Sequence, residues 1–151
     1  MRTRRILVAV DGSEGSRAAT RKALELAARL DAAVTFVSVT KPPPAVLGDP
    51  YYDRAVMERL RAGWAVLATA LDEAGEAGVK ADYELVEGDA AEEVVALAER
   101  RGADLIVIGS LGRGAVTDTL LGSVSRDVSH RATLPVLVVR ASEGHEATQA
   151  A

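Results

Sequence analysis

Short apolar runs at residues 6–10, 33–39, 79–87, 103–108 and 134–139 divide this chain, and the segments between the first four repeat apolar residues at helical spacing. The runs 6–10 and 103–108 are nearly continuous and rich in β-branched residues, as strands buried on both faces read. The run 79–87 instead alternates Val79, Ala81, Tyr83 and Leu85 with Lys80, Asp82 and Glu84, a pattern suited to a sheet edge. After the first run, Ala19, Ala23, Leu26, Ala27 and Leu30 fall on one helical stripe, with Ser13 or Ser16 available as N-cap. Lys41-Pro42-Pro43-Pro44 then imposes an extended connection. From about Asp53, the residues Met57, Leu60, Trp64, Leu67 and Leu71 recur at alternating steps of three and four, which predicts Trp64 in the core and a helix closed by Gly75 and Gly78. Asp89-Ala90-Ala91-Glu92 has capping-box spacing, and the helix it opens ends on Arg100-Arg101-Gly102, cations and a glycine stop at the negative end of the helix dipole. Ser123 opens the last helix, as its N-cap or as a hydroxyl donor. Strands alternating with helices predict an α/β fold with parallel strands and helices on both faces.

Composition narrows the function classes. A chain of 151 residues is one domain's worth. A formal charge of −4 argues against nucleic acid as a partner, and Arg2, Arg4 and Arg5 read as a solvated terminus. Cysteine is absent, which excludes disulfides, thiolate metal sites and thiol catalysis. No apolar run approaches the roughly 20 residues of a membrane span. Asp11 ends the first run too early for a signal peptide, so the chain reads as cytoplasmic with no membrane partner. Residues 141–151 are small, polar and aperiodic, and read as a disordered tail.

The segment richest in chemistry follows the fourth apolar run. Gly109-Ser110-Leu111-Gly112-Arg113-Gly114 leads, through residues 115–121, to Gly122-Ser123. Glycines let a loop bring its backbone N–H groups close to an anion, and a helix N-terminus adds unpaired N–H groups and a favourable dipole. A P-loop would need Lys after its last glycine, whereas Gly122 is followed by Ser123 and Val124, and no Rossmann GxGxxG follows the first strand. Gly109, two residues, Gly112, nine residues and Gly122-Ser123 resemble the ATP-binding signature of the universal stress protein family. The resemblance extends to the first strand with Asp11-Gly12-Ser13 and to Leu134-Pro135-Val136-Leu137-Val138-Val139.

The resemblance implies one nucleotide-binding domain over residues 1–140. It also implies a doubly wound five-stranded parallel sheet in the order 3-2-1-4-5, whose crevice lies outside the carboxyl ends of the first and fourth strands. Carried over by position, Ala9, Asp11, Val39, Ile108, Gly109, Gly112, Arg113, Gly122, Ser123, Val124 and Ser125 line an ATP pocket, with Val39 and Ile108 flanking the adenine. Asp11 stands at a strand end, where it caps the following turn, meets the ribose or holds phosphate-bound magnesium. Arg113 pairs with phosphates or is simply solvated. The resemblance further implies a homodimer through the last strand, Val136 to Val139, which is apolar on both faces.

The catalytic inventory is thin. His130 falls at the end of the last helix and His145 in the tail, and neither has a nucleophile beside it. Asp118 and Asp127 are the other acids near the inferred crevice, yet nothing there positions a general base for attack on a γ-phosphate. The reading is therefore an ATP- and magnesium-binding stress sensor or regulator with at most slow hydrolysis; the alternatives are an interaction protein of the family without nucleotide, or a slow ATP hydrolase. A response-regulator receiver would need a phosphoacceptor Asp after the third strand and a Lys after the fifth, where Gly88 and Arg140 stand. A pyrophosphatase-type enzyme would need Ser-Gly-Gly-x-Asp-Ser, where Asp11-Gly12-Ser13-Glu14-Gly15-Ser16 stands.

Overall fold

The computed structural model describes residues 4–110 and 121–141. Its centre is a parallel sheet of β1 (Arg5–Ala9), β2 (Ala33–Thr40), β3 (Ala81–Glu87), β4 (Leu105–Gly109) and β5 (Val136–Val139), in the order β3-β2-β1-β4-β5. Parallel neighbours need a crossover, and helices supply it: α1 (Glu14–Leu30), α2 (Tyr51–Glu76), α3 (Ala90–Arg101) and α4 (Ser123–Arg131). The switch in strand order falls between β1 and β4, as expected from the resemblance.

Because strand side chains alternate between faces, the sheet feeds two cores. Ile6, Val8 and Phe36 meet Ala19, Ala23 and Leu24 of α1 and Leu67, Ala70 and Ala74 of α2. Leu7, Val37, Ile106 and Ile108 meet Val94, Leu97 and Ala98 of α3 and Val128 of α4. Ser13 caps α1 by accepting the Ser16 N–H at 3.1 Å, and Asp89 caps α3 by accepting that of Glu92 at 3.1 Å.

Helix α2 departs from its periodicity. It begins at Tyr51, two residues before the expected Asp53, and its buried stripe is Gly63, Leu67, Ala70 and Ala74. Trp64, expected in the core, is 47% exposed, as is Met57 at 48%. The cause is close approach: a Cβ on Gly63 would lie 2.7 Å from Leu85 Cδ1, so small residues must face the sheet. The large ring is displaced to the rim, where it meets Tyr83 edge-on at 5.3 Å between centroids. Tyr83, assigned inward by alternation, is itself 42% exposed. In α1, Leu24 is buried while Leu30 of the expected stripe is exposed. The connection after β2 is irregular at residues 41–44 as expected, then forms a 3-10 turn at Ala45–Leu47 that the prolines did not foretell.

At the end of the sheet opposite Gly109, the polar side of β3 is partly exposed but its carboxylates are paired. Asp82 accepts from the Thr35 hydroxyl at 2.6 Å and pairs with Arg101 at 2.9 Å and Arg5 at 3.4 Å, while Glu84 pairs with Arg101 at 2.8 Å. Burial raises the Asp82 pKa, but the Thr35 hydroxyl, Arg101 and Arg5 outweigh it and hold the carboxyl below its ordinary value. The hydrogen bond that Arg101 Nε donates to Glu84, with Asp82 beside it, holds Arg101 more firmly protonated.

Candidate functional site

Two buried strands, β1 and β4, end side by side at the switch point and their continuations diverge, so a hollow forms between them. It has a volume of about 360 Å³. Ala9 enters it from the end of β1 and Asp11 from just beyond, Val37 and Val39 from β2, and Ile108 and Gly109 from β4 with Ser110 just after it. Gly122, Ser123, Val124 and Ser125 close it from the start of α4, and Ala90 and Val94 of α3 from the side. Nine of the residues named from sequence, Ala9, Asp11, Val39, Ile108, Gly109, Gly122, Ser123, Val124 and Ser125, thus line one cavity. Gly112, Arg113, Asp118 and His145 lie outside the described residues. Asp127 and His130 sit on α4 and do not line the hollow.

Several lining residues escaped the sequence reading. Val37, Ala90 and Val94 add apolar wall, and Ser13 and Ser16, read from sequence only as caps, add hydroxyls beside Ser110 of the glycine-rich stretch. Val37 was legible in principle, since it lies two residues before Val39 and shares its face. Ala90 and Val94 depend on how α3 leans across the sheet, for which local sequence holds no signal.

The local geometry explains each polar group. Asp11 is half-buried; its Oδ1 accepts the Ser13 N–H at 2.9 Å, so the turn-capping role assigned to it is present, and its side chain still borders the hollow. Its own N–H donates to Ser16 Oγ at 3.3 Å. Gly109 lacks a side chain for a reason beyond anion access: a Cβ there would stand 2.5 Å from the carbonyl carbon of Gly15, in the first turn of α1. Bare backbone at Gly109 is what lets α1 seat its first turn beside the cavity.

The N-cap of α4 is Gly122, not Ser123, which stands one position inside the helix. Gly122 has no side chain to accept from the first turn, so among the described residues no side chain caps the helix end that borders the cavity. The loop leading there is tied at its base: the Gly122 N–H donates to the Ser110 carbonyl at 2.6 Å, and Ser125 Oγ donates to the same carbonyl at 3.0 Å. Ser125 is thereby committed to structure, while its neighbours Ser123 and Val124 present the helix end. Asp11 is the only ionisable residue among the described lining residues, so of these it is the α4 backbone that offers positive potential to an anion. Apolar wall at one side and a helix N-terminus at the other suit a ligand with a flat apolar part and an anionic part.

The fold defines a doubly wound α/β protein with a crevice at its topological switch. The chain belongs to the universal stress protein family, whose model matches residues 2–140. It is 37% identical over 135 residues to a universal stress protein of Thermus aquaticus, covering 89% of this chain and 97% of that one. It is 33% identical over 145 residues to universal stress protein YxiE of Bacillus subtilis, covering 90% and 98%. Among solved structures, a universal stress protein crystallised in complex with cAMP superposes with a TM-score of 0.72 at 30% identity, covering 92% of this chain and 98% of that one.

Proposed function

We propose that this protein binds ATP with magnesium and acts in the cytoplasm as a nucleotide-dependent stress sensor or regulator, with at most slow hydrolysis. One observation carries the reading: the N-terminus of α4, with no side-chain cap among the described residues, and the apolar ends of β2 and β4 line a single hollow. The residues fit the ligand. Val39 and Ile108 offer flat apolar surface to an adenine, and the backbone N–H groups of Ser123 and Val124 offer donors to phosphate oxygens. The hollow's volume falls in the range of small-molecule sites. The related structure bound to cAMP supports an adenine nucleotide as the ligand class.

Magnesium would be held by Asp11 and by the phosphates themselves, since this ion keeps several waters and takes few protein carboxylates. In that role it would neutralise phosphate charge. Asp11 keeps Oδ1 on the Ser13 N–H, which fixes the carboxylate's orientation toward the hollow. The binding domain in this reading spans residues 1–140. Gly112 and Arg113, by their place in the motif, complete the phosphate side.

The same reading includes a homodimer through β5. This strand ends the sheet, its residues Val136 to Val139 are all half-buried, and none is polar. Leu137 and Val139 turn toward one core and Val136 and Val138 toward the other, so the unpaired edge is apolar on both sides. Antiparallel pairing of two such edges about a twofold axis would satisfy their backbone groups.

Protein purified without added nucleotide, denatured and examined by ultraviolet absorbance and mass spectrometry, tests the ligand assignment. Released adenine nucleotide supports it. A preparation that releases none and also takes up none at millimolar ATP would favour the interaction protein without nucleotide.

A further inference from the structure

A second, smaller cleft of about 210 Å³ lies between α1 and α2, bordered by Arg17, Thr20, Thr69 and Glu73. Val10 and Ser16 line this cleft and also the hollow at the switch point, so the turn between β1 and α1 is the wall separating the two. That turn carries Asp11, and its pivot is Gly12. Gly12 has φ +83°, in the left-handed region, and without a Cβ its backbone is intrinsically soft. Two contacts restrain it. Its carbonyl accepts from Arg17 Nη1 at 3.0 Å, from an exposed side chain. Its other restraint comes from α2, across the cleft: Val66 Cγ2 stands 3.1 Å from where a Cβ on Gly12 would be.

We propose that Val66 is a positioning residue for Asp11, acting through Gly12. The Val66 methyl fills the space into which Gly12 would swing, and so fixes the peptide that follows Asp11. The carboxylate then stays on the Ser13 N–H, at 2.9 Å, with its side chain at the hollow. The hydrogen bonds on the turn come from Ser13, Ser16 and Arg17, all within six residues of Asp11, and the Arg17 side chain is exposed; Val66 adds a support from a second helix. Val66 is far away in sequence and anchored on a helix whose buried face is packed against the sheet.

The test uses the full chain and four variants: Val66→Ala, which removes the methyls; Val66→Thr, which keeps the shape; Leu71→Ala, which loosens α2 against the same core without touching the turn; and Asp11→Asn. Amide exchange at Ser13, followed by nuclear magnetic resonance, reads the turn with no ligand present. The expected result is faster exchange in Val66→Ala, with Val66→Thr and Leu71→Ala close to wild type. Calorimetric titration with ATP, with magnesium and with chelator, reads the consequence. This arm rests on the nucleotide reading above. Val66→Ala should weaken binding in magnesium by about tenfold, as loss of a supporting contact behind a metal-holding group does, and leave binding in chelator unchanged. In the Asp11→Asn background the same change should have no further effect. Unchanged Ser13 exchange in Val66→Ala overturns the proposal, as does a loosened turn with magnesium-dependent affinity intact. A loosened turn in a protein whose wild type takes no nucleotide would sustain the positioning of Asp11 and overturn the nucleotide reading instead.

Discussion

Single residues in this fold owe their identity to distances that sequence does not display. Gly109 reads as an anion-binding glycine, and the structure adds that its Cα faces the backbone of Gly15 so closely that a methyl would stand 2.5 Å from it. Gly109→Ala should therefore cost about 1–3 kcal/mol by overpacking, measured by urea unfolding. Gly75, inside α2 with no atom within 4 Å of a would-be Cβ, gives the opposite expectation. Gly75→Ala should stabilise by up to about 1 kcal/mol through helix propensity. Equal effects of the two substitutions would contradict the packing described. Asp82 supplies a pH dependence. Its folded pKa is depressed, so its stabilisation is complete above the ordinary carboxylate value, about 3.9, and is lost as pH falls through the lowered value. With its side chain 44% exposed, the contribution is about 1 kcal/mol or less. Asp82→Asn should flatten the acid limb of a stability titration below about pH 4, with the curve near neutrality shifted down. An unchanged acid limb would show that the Arg5, Arg101 and Thr35 contacts do not hold the carboxylate.

Elements were legible where one rule decided them and obscure where two competed. The strands β1, β2 and β4 could be read because both their faces are buried, so apolar runs alone mark them. Caps at Ser13 and Asp89 could be read because capping is local chemistry. In α2, periodicity named the correct side of the helix but not its centre. Of the periodic residues Leu67 is fully buried and Leu60 and Leu71 pack partly, whereas the rest of the buried stripe is Gly63, Ala70 and Ala74, too small to register as hydrophobic signal. A measurement separates the two views of this helix. Leu67→Ala, at a fully buried position, should cost about 2–5 kcal/mol, whereas Trp64→Ala should cost about 1–2 kcal/mol, mainly the Tyr83 contact. A larger loss at Trp64 than at Leu67 would restore the ring to the core. The candidate site was legible for a related reason: it lies at strand ends and a helix start, which motif spacing marks. Its side wall from α3 was not, because helix lean is set by the whole packing.

At the scale of the whole molecule, the proposed function rests on two surfaces, the β5 edge and the hollow at the switch point. If β5 pairs with a second copy, Val138→Asp places a charge in an apolar seam and should convert dimer to monomer, read by light scattering at micromolar concentration. A wild type already monomeric there would refute the dimer, and a variant still dimeric would move the interface elsewhere. The hollow is the more central matter, and Gly122 offers a clean way to question it. With φ −67° and ψ 162° at the N-cap of α4, this position accepts an aspartate, a residue favoured at N-caps that also places a carboxylate where phosphate would sit. The most direct measurement is the melting temperature of wild type and Gly122→Asp with and without magnesium ATP. At about 100 times its Kd, ATP should stabilise wild type by about 2.7 kcal/mol, or roughly 5–10 °C, and should leave an equally well folded Gly122→Asp unshifted. A wild type that millimolar ATP does not shift, or a Gly122→Asp that it shifts equally, would contradict the account.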